Sequence, residues 1–139
     1  MPRLKRIDHI GFVVADIQES IGRYKNLLFQ EPFLIDYFEP AKADIAFFDI
    51  GGVHVELLAP TDPDSLLGKF LREKGGGYHH ICFEVDDLLA VLKVLKDQGS
   101  KLIDETPRSG SRNSQIAFVD PVSTDGILIE YCQFPKEKE

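Results

Sequence analysis

The sequence predicts an α+β protein in which two tandem βαβββ modules form a curved mixed sheet around one cavity. The first observation is an internal repeat, since a segment near the start of the chain returns 71 residues later. The second is strict alternation of apolar and polar residues in the repeated segments, which is typical of half-buried strands. With 139 residues and an apolar share of 43%, the chain has the size and composition of one compact domain.

The repeat preserves chemically distinctive residues as well as hydrophobic spacing. Three pairs of segments match: IDHIGFVVADI (7–17) with YHHICFEVDDL (78–88), IAFFD (45–49) with IAFVD (116–120) and, after three inserted residues, VHVELL (53–58) with ILIEYC (127–132). The polar residues matched in this way are His9 with His80, Asp16 with Asp87, and Glu56 with Glu130. Unrelated strands rarely share His, Asp and Glu in one order, so the pattern indicates a tandem duplication.

Each module is expected to begin with a strand followed by a helix. The predicted strands cover 7–14 and 78–85, and the predicted helices cover 17–28 and 88–98. Asp16 and Asp87 immediately precede the helices, where a carboxylate can accept hydrogen bonds from the first turn. Gly99 is expected to end the second helix.

Three further strands are expected in each module. They are predicted at 33–39, 44–50 and 53–59, and then at 101–104, 115–120 and 126–132. Gly51-Gly52 lies between two alternating runs and indicates a tight hairpin. The single predicted domain, 1–139, therefore divides into module one (1–60), a linker (61–77), module two (78–134) and a tail (135–139). Within the linker, Asp64 or Ser65 is predicted to cap a short helix.

Composition excludes several classes of function. The net charge of −7 argues against nucleic acid as a partner, because phosphate binding requires a basic face. No apolar run approaches the roughly 18 residues of a membrane-spanning helix, and no segment resembles a signal peptide. The two cysteines, Cys82 and Cys132, fit a reducing compartment better than a disulfide framework, so we expect a cytoplasmic protein.

Strand alternation places the repeated His and Glu residues on the faces of their strands that point away from the helices. Apolar residues such as Ile10 and Ile81 are expected to pack on the helices, which leaves four side chains facing the cavity: His9, Glu56, His80 and Glu130. Two buried carboxylates without a cation would force one of them to keep its proton. Imidazole and carboxylate together suit Zn, Co, Ni, Mn or Fe, so we predict one divalent metal ion of undetermined identity. A single inward His or Glu would more often be structural; four matched residues favour the metal site.

Other polar residues are weaker candidates. His54 shares a strand face with Glu56 and is predicted to line the substrate pocket. Arg108, Arg112 and Asn113 lie in the loop TPRSGSRNS and are predicted to bind anionic groups of a substrate, although such loops are more often solvated connections. Cys82 is predicted to face inward and to line the cavity as a small side chain.

Four segments resemble the vicinal-oxygen-chelate superfamily, which has the glyoxalase/bleomycin-resistance fold, and within it the methylmalonyl-CoA epimerases. The segments are IDHIGFVVADI, VHVELLAP, DSLLGKFLREKGGGYHHICFEVDDL and GILIEYCQFP. The resemblance implies that His9, Glu56, His80 and Glu130 are metal ligands. It also implies epimerisation through a metal-stabilised enolate, in which Glu130, alone or with Glu56, moves the proton beside a thioester carbonyl.

The chain departs from the epimerase pattern in the loop 109–114 and at Asp120-Pro121-Val122, where the family tends to carry lysines. An additional catalytic Glu of one family member has only Asp44 near its position. A glyoxalase I-type lactoylglutathione lyase therefore remains an alternative, as do a non-catalytic small-molecule binder and an iron dioxygenase of the same fold. The resemblance implies an acyl-CoA or a glutathione thioester or hemithioacetal as substrate, and a homodimer.

Overall fold

The computed structural model describes residues 1–136. Its chain divides into two compact units, one formed by 9–79 and the other by 1–8 together with the chain from His80 onward. The helices are α1 (Ile17–Leu28), α2 (Leu66–Lys74) and α3 (Leu88–Asp97). The strands are β1 (Leu4–Val13), β2 (Leu34–Phe38), β3 (Ala43–Ile50), β4 (Val53–Pro60), β5 (Gly77–Val85), β6 (Arg108–Ser109), β7 (Gln115–Val119) and β8 (Ile129–Gln133). Within this described range, no helix is long and apolar enough to cross a membrane.

In the 9–79 unit the strands lie in the order β2-β3-β4-β1. β3 is antiparallel to both β2 and β4, whereas β4 is parallel to β1. The β3–β4 hairpin turns at Gly51 and Gly52, whose φ angles of 61° and 94° are strained for residues with a side chain. The two glycines therefore make the tight turn that the sequence indicated.

Two helices cover the opposite faces of these four strands. Asp16 caps the N-terminus of α1, as predicted, and its Oδ1 accepts a hydrogen bond from the Glu19 amide at 2.9 Å. The buried Ile21 of α1 packs in a cluster with Phe48. α2 begins at Ser65, and its buried Leu67 packs in a separate cluster with Phe47. Since Phe47 and Phe48 are consecutive residues of β3, the two clusters lie on opposite faces.

In the other unit the strands lie in the order β5-β8-β7-β6. β5 is parallel to β8, and β7 is antiparallel to both β8 and β6. α3 begins at Asp87, whose carboxylate accepts from the Ala90 amide at 3.1 Å, while the Gln133 side chain accepts from the Leu88 amide at 2.8 Å. The predicted N-cap is thus confirmed, with an additional acceptor from β8.

The prediction of a strand at 101–104 is wrong. Only Leu102 forms an isolated bridge with Val119, and the strand that pairs with β7 is instead β6, within the segment expected to be a loop. The reason is Asp104, whose Oδ2 accepts the Phe118 amide at 2.9 Å and so replaces a backbone partner. The last strand also begins later than predicted, because Asp125 and Gly126 adopt positive φ angles of 57° and 84° in a turn.

Candidate metal centre

The first His–Glu pair joins two parallel strands of the 9–79 unit. His9 lies on β1 and Glu56 on β4, and the His9 Nε2 atom is 3.4 Å from the Glu56 Oε1 atom. Both residues are only 5% exposed. The ring of Phe47, which lies opposite Glu56 on β3, packs edge-on against His9 with 6.0 Å between centroids.

The second pair repeats this arrangement in the other unit. His80 lies on β5 and Glu130 on β8, with 3.2 Å between the His80 Nε2 and Glu130 Oε1 atoms. Their exposed fractions are 4% and 5%. Phe118 lies opposite Glu130 on β7, and its ring centroid is 6.0 Å from that of His80 in an edge-on contact.

The backbone register explains why the two pairs have the same geometry. In one unit Gly11 is opposite Glu56, and in the other Cys82 is opposite Glu130. Gly11 and Cys82 are matched by the sequence repeat, as are Phe47 and Phe118. The duplication therefore preserves strand pairing as well as residue identity.

The donor chemistry of each pair fits a divalent cation. Each supplies one imidazole nitrogen and one carboxylate oxygen, both of which ligate Zn and related metals. A buried carboxylate is costly without a charged or hydrogen-bonding partner, and in each unit an imidazole is the neighbour.

Cys82 is fully buried on β5. Burial raises the pKa of the Cys82 thiol well above its ordinary value, and the neighbouring Cys132 and Glu130 raise the pKa further. The thiol therefore stays protonated at neutral pH. Cys82 and Cys132 pack with Ile116 in an apolar cluster.

His54 lies at the hairpin end of β4. Its Nε2 atom is 3.3 Å from Asp49 Oδ1, and its ring packs against Phe33 with 4.8 Å between centroids. In the parallel register it lies beside His9, two residues from Glu56 on the same strand face.

The two loop arginines have different environments. Arg112 contacts the Asp8 carboxylate and places its guanidinium carbon 4.9 Å from the centre of the Phe134 ring. Arg108 instead donates from Nε to Asp104 at 2.9 Å. Asn113 is exposed, at a positive φ of 60° beside Arg112.

Asp8 is a buried charge that the sequence analysis missed. Alternation placed it on the helix-facing or edge side of β1, yet it is fully buried between Arg6 and Arg112. The only sequence signal is Arg6, two residues earlier on the same strand face. Its other partner is 104 residues away and could not be inferred.

Asp44 does not replace the additional Glu. Its neighbours Ala43 and Ile45 belong to the cluster that contains Phe47, so alternation turns Asp44 toward the opposite face, which packs on α1. Glu56 lies directly opposite Phe47. Asp44 is therefore separated from the His9–Glu56 pair by the sheet itself.

Comparison with known proteins settles the family. Residues 8–118 match the model of the glyoxalase/bleomycin resistance protein/dioxygenase superfamily. The chain belongs to this superfamily. Its similarity to the uncharacterized protein YqjC of Bacillus subtilis is 39% identity over 130 residues, which cover 94% of this chain and 93% of that protein.

Superfamily members that resemble the chain include characterised enzymes. The mitochondrial methylmalonyl-CoA epimerase of Dictyostelium discoideum is 32% identical over 90% of this chain and 76% of its own length. A solved methylmalonyl-CoA epimerase in complex with methylmalonyl-CoA and NH4+ has 33% identity and a TM-score of 0.90, with coverage of 95% of this chain and 96% of that one. The predicted α+β glyoxalase/bleomycin-resistance fold is thus confirmed.

Proposed function

We propose that the protein is a divalent-metal-dependent epimerase of an acyl-CoA resembling methylmalonyl-CoA, and that His9, Glu56, His80 and Glu130 hold one ion. The observation that carries the proposal is the repeated His–Glu pair, buried and in equivalent strand register in each unit. Similarity to methylmalonyl-CoA epimerases over nearly the whole chain supports the choice of reaction.

A divalent ion at these residues would supply Lewis-acid polarisation of the substrate's carbonyl groups, which makes the C–H bond between them acidic. The chain itself supplies the proton transfer. In the proposal the Glu130 carboxylate takes the α-proton, and Glu130 or Glu56 returns it to the opposite face of the carbon. One proton leaves and one is added, so no further reactant is required.

The surroundings of the two carboxylates suit this role. Phe47 and Phe118 lie directly opposite Glu56 and Glu130 on the neighbouring strands and shield them from water. Glu56 and Glu130 are each only 5% exposed, so little bulk water reaches either carboxylate. His54 and Asn113 are proposed as further substrate contacts.

The test is exchange of the α-hydrogen of methylmalonyl-CoA with deuterium from solvent, measured together with epimerisation. We expect the substitution Glu130→Gln to lower the exchange rate by about a hundredfold or more. The matched control is Glu31→Gln, because Glu31 pairs with Lys25 on the surface and should not affect the rate. Circular dichroism and metal content distinguish loss of the base from loss of the fold or the ion.

Exchange at the wild-type rate in the metal-loaded Glu130→Gln variant would show that Glu130 is not the base. Turnover of methylglyoxal with glutathione, combined with inactivity toward methylmalonyl-CoA, would replace the epimerase proposal with the glyoxalase I-type alternative.

A further inference from the structure

We infer that Arg108 is the residue that contacts an anionic oxygen group of the substrate, and that Arg112 instead positions the loop that follows β6. This inference rests on the proposed epimerase function and adds a specificity-determining residue to it. The argument depends on how each guanidinium is held.

The Arg108 guanidinium is bonded through its Nε atom, and the side chain is otherwise half-exposed. Its Nε donates to Asp104 Oδ1 at 2.9 Å, and its guanidinium carbon lies 5.2 Å from the centre of the Phe118 ring. Asp104 is fixed in turn, because its second oxygen accepts the Phe118 amide. The Arg108 side chain is nevertheless 48% exposed, so its terminal nitrogens remain accessible to a ligand.

A single aromatic ring connects this guanidinium to the second His–Glu pair. The Phe118 ring contacts Arg108 and also packs edge-on against His80. Phe118 lies opposite Glu130 in the β7–β8 register. A positive charge therefore lies one aromatic ring away from His80 of the proposed reaction site.

The Arg112 side chain is less accessible to a ligand than that of Arg108. Its side chain is 15% exposed and contacts Asp8, whose side chain is fully buried. Withdrawing this guanidinium toward a ligand would deprive the buried Asp8 carboxylate of a cationic partner, which is costly. The loop around it is also internally bonded, since the Gly110 amide donates to the Ser114 carbonyl at 2.9 Å.

The two modules differ at the strand position that Arg108 occupies. Ile116 of β7 pairs with Arg108, whereas the matched residue of the first module, Ile45 of β3, pairs with Asp36. The first module thus carries an exposed carboxylate where the second carries a guanidinium. An acyl-CoA is strongly anionic and the chain has a net charge of −7, so a local cation is needed where the substrate's charge lies.

The experiment compares the steady-state kinetics of wild-type protein with those of Arg108→Gln and Arg108→Lys, using methylmalonyl-CoA. We expect Arg108→Gln to raise KM about tenfold with kcat within about twofold, because it removes a charge-assisted contact made equally before and during the reaction. Arg108→Lys should recover part of the loss. The matched control, Arg23→Gln, removes a surface arginine paired with Glu19 on α1 and should leave KM unchanged.

A truncated thioester identifies the anionic group. Methylmalonyl-pantetheine keeps the carboxylate but lacks the nucleotide phosphates. If Arg108→Gln still raises its KM, Arg108 contacts the carboxylate; if the difference disappears with this substrate, Arg108 contacts a CoA phosphate. Both results agree with an anion contact.

Unchanged KM for methylmalonyl-CoA in Arg108→Gln, or a loss confined to kcat, would overturn the inference while the epimerase function stands. Absence of turnover by the wild-type protein would instead contradict the proposed function, and this inference with it.

Discussion

Buried charged side chains are the most informative residues of this protein. Among residues 1–136, five carboxylates and imidazoles are nearly inaccessible to solvent, namely Asp8, His9, Glu56, His80 and Glu130. Four of them form two matched pairs, and the fifth contacts two arginines. Because an unpaired buried charge strongly destabilises a fold, each of these contacts contributes to stability as well as to any chemistry.

The contact between Asp8 and Arg112 gives a stability prediction. We expect Arg112→Gln to lower the free energy of unfolding by about 3 kcal/mol, because the buried Asp8 carboxylate loses a cationic partner. The control, Arg23→Gln, breaks an exposed pair and should cost no more than about 0.5 kcal/mol. Urea denaturation of both variants measures the difference. Equal stability of the two variants would contradict this prediction and would mean that the remaining contacts of Asp8 compensate for the loss of Arg112.

The sequence could reveal the matched residues because the duplication displays them twice. His9 and Glu56 are individually unremarkable, but His80 and Glu130 repeat them at the same strand positions. The Asp8–Arg112 contact has no such signal, since the residue matched to Asp8 is His79, which instead packs against Phe70. Pairing across 104 residues depends on tertiary structure alone.

Helices and long strands follow from local rules, whereas the short strand β6 does not. The predicted bounds of α1 agree with the structure because Asp16 fixes the first turn through its own side chain. β6 has two residues and exists only through pairing with β7. Alternation and propensity carry too little information over such a length.

The loop between β6 and β7 requires a residue without a side chain. A Cβ atom at Gly110 would lie 2.5 Å from Ile116 Cγ2 and 2.6 Å from Ser114 Oγ. Ile116 is buried in the cluster with Cys82 and cannot move without disturbing it. Gly110 therefore permits the close approach of its backbone to Ile116 and Ser114.

We expect Gly110→Ala to destabilise the protein by about 1–3 kcal/mol through overpacking. Gly22→Ala is the matched control, because Gly22 lies in α1 with no atom within 4 Å of the added carbon. That change should stabilise the protein by about 0.5–1 kcal/mol through higher helix propensity. Thermal or urea unfolding reports both effects. Stabilisation by Gly110→Ala would contradict the overpacking and would show that the loop relaxes freely.

Each of the two units carries a His–Glu pair on two parallel strands, β1 and β4 in one unit and β5 and β8 in the other. The units divide after Asp8 and after His79, immediately before the two histidines that the repeat matches. Membership of the superfamily explains the duplicated fold, while the residues on these strands decide the chemistry. The homodimer and the cytoplasmic location stay predictions from the resemblance and the composition. Residues 137–139 of the predicted tail lie outside the described range.

Metal stoichiometry tests the proposed site most directly. Protein purified without chelators should contain about one divalent ion per chain by elemental mass spectrometry. We expect the double variant His9→Ala/Glu56→Gln to lose that ion, and His80→Ala/Glu130→Gln to lose it equally, since neither pair alone completes a site. Two ions in the wild-type protein, with one retained in each folded double variant, would contradict a single shared centre.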